Sequence, residues 1–297
     1  MRFAHLVSIV SLFLLIGCAA QPTNPSFPIA VKQGQLDMQR MSENRKPLAR
    51  PLVVISGFLD PGVGAWVLES EFSSVTTDRR IICVSLGECL SFDDCRRKIV
   101  NAVERSWPSR DPAQTVEVDV VGLSMGGVAA RYAALPLKKK GKGLRIARLF
   151  TISSPHLGAE DAQRLPLLHP LQESLRPGSP FYAKLESSPP DYQIYPYVRL
   201  GDHVVGTQFS APKGQYPWWV PDDITDGPPH GGAFLDPRIL SDIARRLRGE
   251  PPSSTCPPAP LPNVALLSGT GKACCPCSAD PTPRTRVLAH ATESSVA

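Results

Sequence analysis

The most constraining stretch of this chain is Val116-Glu-Val-Asp-Val-Val121, which runs without a spacer into Gly122-Leu123-Ser124-Met125-Gly126-Gly127. A valine-rich run of this length reads as a buried strand. The small residues that follow, with Val128, Ala129, Tyr132 and Ala133 at helical spacing, read as a helix opening at about Met125. A strand that turns directly into a helix leaves the residue between them strained. Glycines at 122 and 126 then let the two backbones approach closely. Such a turn lifts the Ser124 hydroxyl clear of the sheet, above a helix N-terminus that favours negative charge. Gly-x-Ser-x-Gly needs this setting to present a nucleophile, and a layered α/β protein supplies it.

The rest of the chain keeps the same alternation. Leu52-Val53-Val54-Ile55, Ile81-Ile82-Cys83-Val84, Leu149-Phe150-Thr151-Ile152 and Tyr197-Val198-Arg199-Leu200 read as further strands. Helical spacing appears through Ile99, Val103 and Trp107. It appears again after Asp236-Pro237, where Ile239, Leu240, Ile243 and Leu247 share one face. Strands alternating with helices predict a mainly parallel, doubly wound sheet. With 297 residues and 42% hydrophobic content, the chain can bury one substantial core. A net charge of +5 with 20% charged residues is ordinary, so no nucleic-acid partner is expected. Lys138-Lys139-Lys140 reads as a solvated helix end, with contact to phosphates or anionic headgroups as the alternative.

The two ends differ from the middle in composition. Arg2 followed by the apolar run Phe3 to Ile16 is too short to span a bilayer comfortably but suits a secretory signal over 1–17. Leu15-Ile16-Gly17-Cys18 resembles the lipobox of bacterial lipoproteins. That resemblance implies cleavage before Cys18, lipid attachment to it and export to a membrane surface. Ala19 after it would favour the outer membrane in a Gram-negative cell. The alternative is an ordinary cleaved signal and a secreted protein. Residues 18–47 read as a flexible tether, 48–250 as the folded domain and 251–297 as a disordered Pro/Ser/Cys-containing tail. Eight cysteines leave an odd number once Cys18 is set aside. Cys89 and Cys95 lie close enough in sequence to close a small disulfide loop, and Cys83 is an alternative partner for either. Cys274-Cys275-Pro276-Cys277 lacks a second ligand pair, so neither metal nor cofactor is expected.

From about Pro51 to Arg248 the chain resembles the bacterial lipases and esterases of the α/β-hydrolase fold. The resemblance is carried by the serine motif together with Ser56-Gly57-Phe58, Ser154-Pro155-His156-Leu157-Gly158, Gly201-Asp202-His203-Val204-Val205 and Pro229-His230-Gly231. It implies an α/β-hydrolase fold with a short helical cap at about 158–191. It also implies an oxyanion hole formed by the backbone N–H groups of Phe58 and Met125. Ser56 stands where such families commonly have a histidine. The fold's order of nucleophile, acid and histidine is satisfied by Ser124, Asp202 and His230, with Asp222, Asp223 and Asp226 as rival acids. His156 and His203 are competing histidines, His156 reading rather as support or pocket wall. In the cap, Leu165, Leu167, Leu168, Leu171 and Leu175 suit either an acyl-chain pocket or lipid interface, or a buried helix. Trp218-Trp219 suits either an interfacial anchor or strand core. The implied activity is hydrolysis of hydrophobic carboxylic esters. Acyl transfer or amide hydrolysis by the same triad, and a non-catalytic binding lipoprotein, are the alternatives.

Overall fold

Along Leu52–Ile55, successive side chains alternate between two apolar clusters. Leu52 and Val54 face one, Val53 and Ile55 the other, and all four are buried. A strand buried on both faces belongs inside a parallel sheet covered by helices on each side. The computed structural model describes residues 22–137, 141–222 and 227–262. Its sheet comprises β1 (Leu52–Ile55), β2 (Ile81–Val84), β3 (Val118–Leu123), β4 (Ile146–Ile152), β5 (Gln193–Arg199) and β6 (Trp218–Val220). All pairings are parallel, in the order β2-β1-β3-β4-β5-β6. The winding steps outward from β1 to β2, then returns past β1 and proceeds the other way from β3. The point of reversal lies between β1 and β3, where an open α/β sheet leaves a crevice at its C-terminal edge.

One face is covered by α1 (Val31–Glu43), α2 (Val63–Ser74) and the last helix, Pro237–Leu247. The other carries α3 (Phe92–Ser106), α4 (Met125–Ala134) and three short helices, α5 (Glu160–Arg164), α6 (Pro170–Ser174) and α7 (Pro180–Glu186). After β6 come α8 (Pro229–Gly232) and α9 (Pro237–Leu247). Ile239, Leu240, Ile243 and Leu247 of α9 are all buried, as their spacing predicts.

Several expectations are corrected. Residues 24–47 are not a tether. Asn24 donates to the Trp219 carbonyl at 2.7 Å, Phe27 is buried, and α1 packs along α9. The helix escapes an apolar-periodicity reading because its buried positions are Gly34, Asp37 and Met41. It docks through ion pairs and close backbone approach rather than through leucines. The start of the expected tail is likewise ordered. Ala259 N–H donates to Ser26 Oγ at 2.7 Å, and Trp219 Nε1 donates to the Pro260 carbonyl at 3.1 Å. Residues 263–297, with the rest of that tail and its three cysteines, lie outside the described residues, as do the signal and Cys18.

Cys89 and Cys95 are free thiols rather than a disulfide, and Cys83 is also free. Burial pushes the Cys89 and Cys95 thiols up. A buried thiol pair poor in thiolate lacks the species that oxidises readily. Cys256 is disulfide-bonded. Trp219 is buried and Trp218 half-buried within β6, so the pair is strand core and not an anchor.

Candidate active site

The elbow is built by glycines that a side chain would destroy. A Cβ at Gly122 would stand 2.5 Å from the Gly127 Cα, and one at Gly126 would stand 2.5 Å from the Ile55 carbonyl oxygen. Strand β3 and helix α4 therefore cross almost backbone to backbone, and Ser124 between them is forced to φ 46° and ψ −123°. Non-glycine residues rarely hold such a conformation outside functional turns. Of the described non-glycine residues, the others with positive φ are Leu59 and Ser153, which follow β1 and β4 on the same edge of the sheet. A parallel sheet of this order, with a serine elbow on its inner strand, is an α/β-hydrolase fold.

Asp202 follows β5 and is 2% exposed. Its Oδ1 accepts the Val204 and Val205 N–H groups at 3.0 and 3.1 Å, and its Oδ2 lies 2.9 Å from His230 Nδ1. An ionised carboxylate only accepts, so His230 Nδ1 carries the hydrogen and Nε2 is left as the basic nitrogen. Burial of Asp202 opposes its ionisation. The hydrogen bond and charge of His230, with the Val205 N–H, outweigh that and hold the carboxyl below the usual aspartate range. His230 itself lies on α8, between Asp202 and the ring of Phe234 at a 5.3 Å centroid separation.

The rival acids fare differently. Asp222 lies 2.9 Å from the buried guanidinium of Arg199, which commits it elsewhere, and Asp223 and Asp226 lie outside the described residues. His156 is fully buried between Thr151 Oγ1 at 2.9 Å and Arg131 at 3.3 Å. Burial first, and the Arg131 charge second, push its pKa well down and keep it neutral. Arg131 also pairs with Glu186 at 3.0 Å, so this histidine pins the loop after β4 to the cap.

The loop after β1 runs directly beside the serine. A Cβ on Gly57 would lie 3.3 Å from the Ser124 Cβ. Ser56, in the position of the absent histidine, is fully buried. Its hydroxyl accepts the Leu86 N–H at 2.9 Å and donates to the Asp60 carbonyl at 3.3 Å, tying this loop to the one after β2. Phe58 meets the ring of His169 edge-on at 5.0 Å, which links the candidate oxyanion loop to the cap. Met125, the other candidate donor, opens α4 and is buried.

Two further features carry no clear mark in the sequence motifs. Ser153 is fully buried at the end of β4 with φ 50°. Its hydroxyl lies within electrostatic reach of Asp202, though not at hydrogen-bonding geometry. His169 caps α6, accepting the Leu171 N–H at 3.2 Å. The His-Pro pair at a helix start is the one local signal for this cap. The cap leucines divide between the two readings: Leu171 and Leu175 are buried, whereas Leu165, Leu167 and Leu168 are exposed. Among the described residues no three His, Cys, Asp or Glu side chains converge to hold a metal ion. No described helix is long and apolar enough to cross a membrane.

Residues 97–176, from within α3 through the elbow into the cap, match a family model described as "Putative serine esterase (DUF676)". No curated protein sequence matches the chain. Among solved structures, a lipase of Bacillus licheniformis, BlEst2 in mature form, is similar at 13% identity and a TM-score of 0.44, over 68% of this chain and 93% of that one. A lipase-esterase related protein from Clostridium acetobutylicum is similar at 9% identity and a TM-score of 0.41, over 68% and 97%.

Proposed function

We propose that this protein is a serine hydrolase that cleaves carboxylic esters with hydrophobic acyl groups. The carrying observation is the buried Asp202 carboxylate, held by two backbone N–H groups and 2.9 Å from His230 Nδ1, on the edge that also bears the strained Ser124. His230 Nε2 takes the Ser124 proton as Oγ bonds to the ester carbonyl carbon, and Asp202 steadies the imidazolium. The N–H groups of Phe58 and Met125 hold the oxyanion. The C–O bond to the alcohol then breaks, and the alcohol leaves with the proton from His230. Water, deprotonated by the same nitrogen, attacks the acyl-serine and releases the acid. The match of residues 97–176 to a serine esterase model supports this reading.

The protein acts at a membrane surface after export, tethered through lipid on Cys18. The proposal rests on the apolar run Phe3 to Ile16 and the Leu15-Ile16-Gly17-Cys18 sequence. Labelling by a fluorophosphonate probe tests the chemistry. Wild type labels and Ser124→Ala does not, and a wild type that fails to label beside a reactive esterase refutes the proposal. A series of esters of rising acyl length then defines the preference. Cys18→Ser moves the protein from membrane to soluble fractions, and unchanged retention refutes the anchor.

A further inference from the structure

Of the twelve large apolar side chains exposed among the described residues, nine stand on one edge of the molecule. That edge consists of the loops and first helical turns that follow the C-terminal ends of the strands. Leu59 follows β1, Trp66 lies in the first turn of α2, and Leu90 follows β2. Leu168 lies in the cap, Val204 follows β5, and Leu235 falls between His230 and α9. Several are strongly exposed, Leu168 at 88% and Trp66 at 63%. The three elsewhere are Leu36, Leu137 and Tyr216. Scattered apolar side chains are ordinary on a surface, but concentration on one edge marks an interaction face.

The route of the chain indicates what covers this face. Gly34 packs against the Pro237 backbone, and Met41 accepts a hydrogen bond from Arg248, so α1 runs parallel to α9. The start of α1 is thus beside the start of α9, next to the His230 loop. Pro22, the first described residue, leads into that end, four residues after Cys18 and six after the apolar run. The N-terminal approach and the apolar edge therefore share one side of the domain. Two cations near the apolar side chains are paired, Arg164 with Glu160 at 2.8 Å and Lys98 with Glu88 at 3.4 Å. Such an edge suits an apolar, electrically neutral surface better than an anionic one.

We infer that this edge is a bilayer-docking face, laid on neutral phospholipid through side chains such as Leu59, Trp66, Leu90, Leu168 and Leu235. The edge that bears Ser124 then faces the lipid, so an ester reaches the serine without crossing water. That consequence rests on the proposed hydrolase reading, whereas docking itself needs no reactive serine.

The test uses the full-length Ser124→Ala chain with phosphatidylcholine vesicles whose acyl chains carry bromine, read by tryptophan fluorescence. Trp66 enters the acyl region, so bromolipid quenches emission, and Trp66→Phe removes that quenching. Leu167→Asp with Leu168→Asp lowers the quenching at least about threefold, because charges resist the interface. Leu36→Asp, at an exposed leucine of α1 away from this edge, leaves it unchanged, and raising the salt changes little. Absent quenching, or quenching indifferent to both rim variants, overturns the inference. So does a vesicle-free dimer that the Leu167→Asp, Leu168→Asp variant dissociates, since the face would then cover a second copy. A wild-type chain that fails to label with fluorophosphonate, beside a Ser124→Ala chain that still docks, would refute the hydrolase reading alone.

Discussion

Ser124 holds a backbone conformation that costs a residue with a side chain on the order of 1–3 kcal/mol, and it persists because Gly122, Gly126 and Gly127 leave it no alternative path. Asp202 is fixed with comparable strictness, one oxygen bound to the backbone and the other to His230. Replacement by asparagine would let the imidazole take the wrong tautomer. Asp202→Asn is therefore expected to lower kcat by about 10²–10⁴-fold, while Asp222→Asn, which acts on the Arg199 pair, lowers it far less. Steady-state hydrolysis of a chromogenic ester distinguishes them, and the reverse ranking would show the acid to be misassigned. The carboxyl titrates below its ordinary range. Its ionised form is therefore complete above the unfolded aspartate value of about 3.9 and is lost only as pH falls through the lower folded value. The rate profile accordingly shows no inflection from Asp202 above about pH 4.

At the scale of elements, α1 illustrates a helix held by fit rather than by apolar area. Its Gly34 tolerates no side chain, since a Cβ would stand 2.5 Å from the Pro237 carbonyl oxygen, a backbone atom. Alanine ordinarily gains about 1 kcal/mol over glycine inside a helix. Here the clash wins, and Gly34→Ala is expected to destabilise by about 1–3 kcal/mol, read as a lower urea midpoint. Farther along, Asp37 binds Arg40 and Arg245, while Glu250 binds Arg40, Lys46 and Arg248. Burial opposes ionisation of Glu250, but the bonds from Arg40 and Lys46 and the charge of Arg248 pull its pKa down to about 2. A folded pKa below the unfolded one stabilises at neutral pH. That contribution is present above about pH 4.3 and is lost as pH falls towards about 2. Because Arg40 and Lys46 are nearly half exposed, solvent screening limits the contribution to about 1 kcal/mol. Glu250→Gln should remove it at pH 7 and flatten the acid limb of stability, measured by urea denaturation across pH.

Over the whole molecule, both terminal segments converge beside the edge strand β6. Asn24 Nδ2 donates to the Trp219 carbonyl and Ser26 Oγ accepts from Ala259, while Pro260 receives the Trp219 indole hydrogen. Covering an edge strand removes a template for unwanted pairing. Asn24 also accepts from the Ser26 N–H and hydroxyl, so Asn24→Ala is expected to cost about 1–3 kcal/mol. A lower thermal midpoint and a red-shifted tryptophan emission would report it, and an unchanged midpoint would show that the strap is idle. The strand valines, the elbow glycines, Ser124 and the final helix are legible in the amino-acid sequence, because periodicity and close backbone approach leave local marks there. The positions of Asp202 and His230 are legible as an order along the chain. Their 2.9 Å meeting is not, since 28 residues separate them. The fold of residues 24–47, the free state of the Cys89 and Cys95 thiols, and the division of the cap leucines into core and rim depend on partners distant in the chain. Local pattern determines which strand and turn a segment can form. Which face it buries, and which carboxylate reaches which imidazole, is settled only when the sheet brings its edges together.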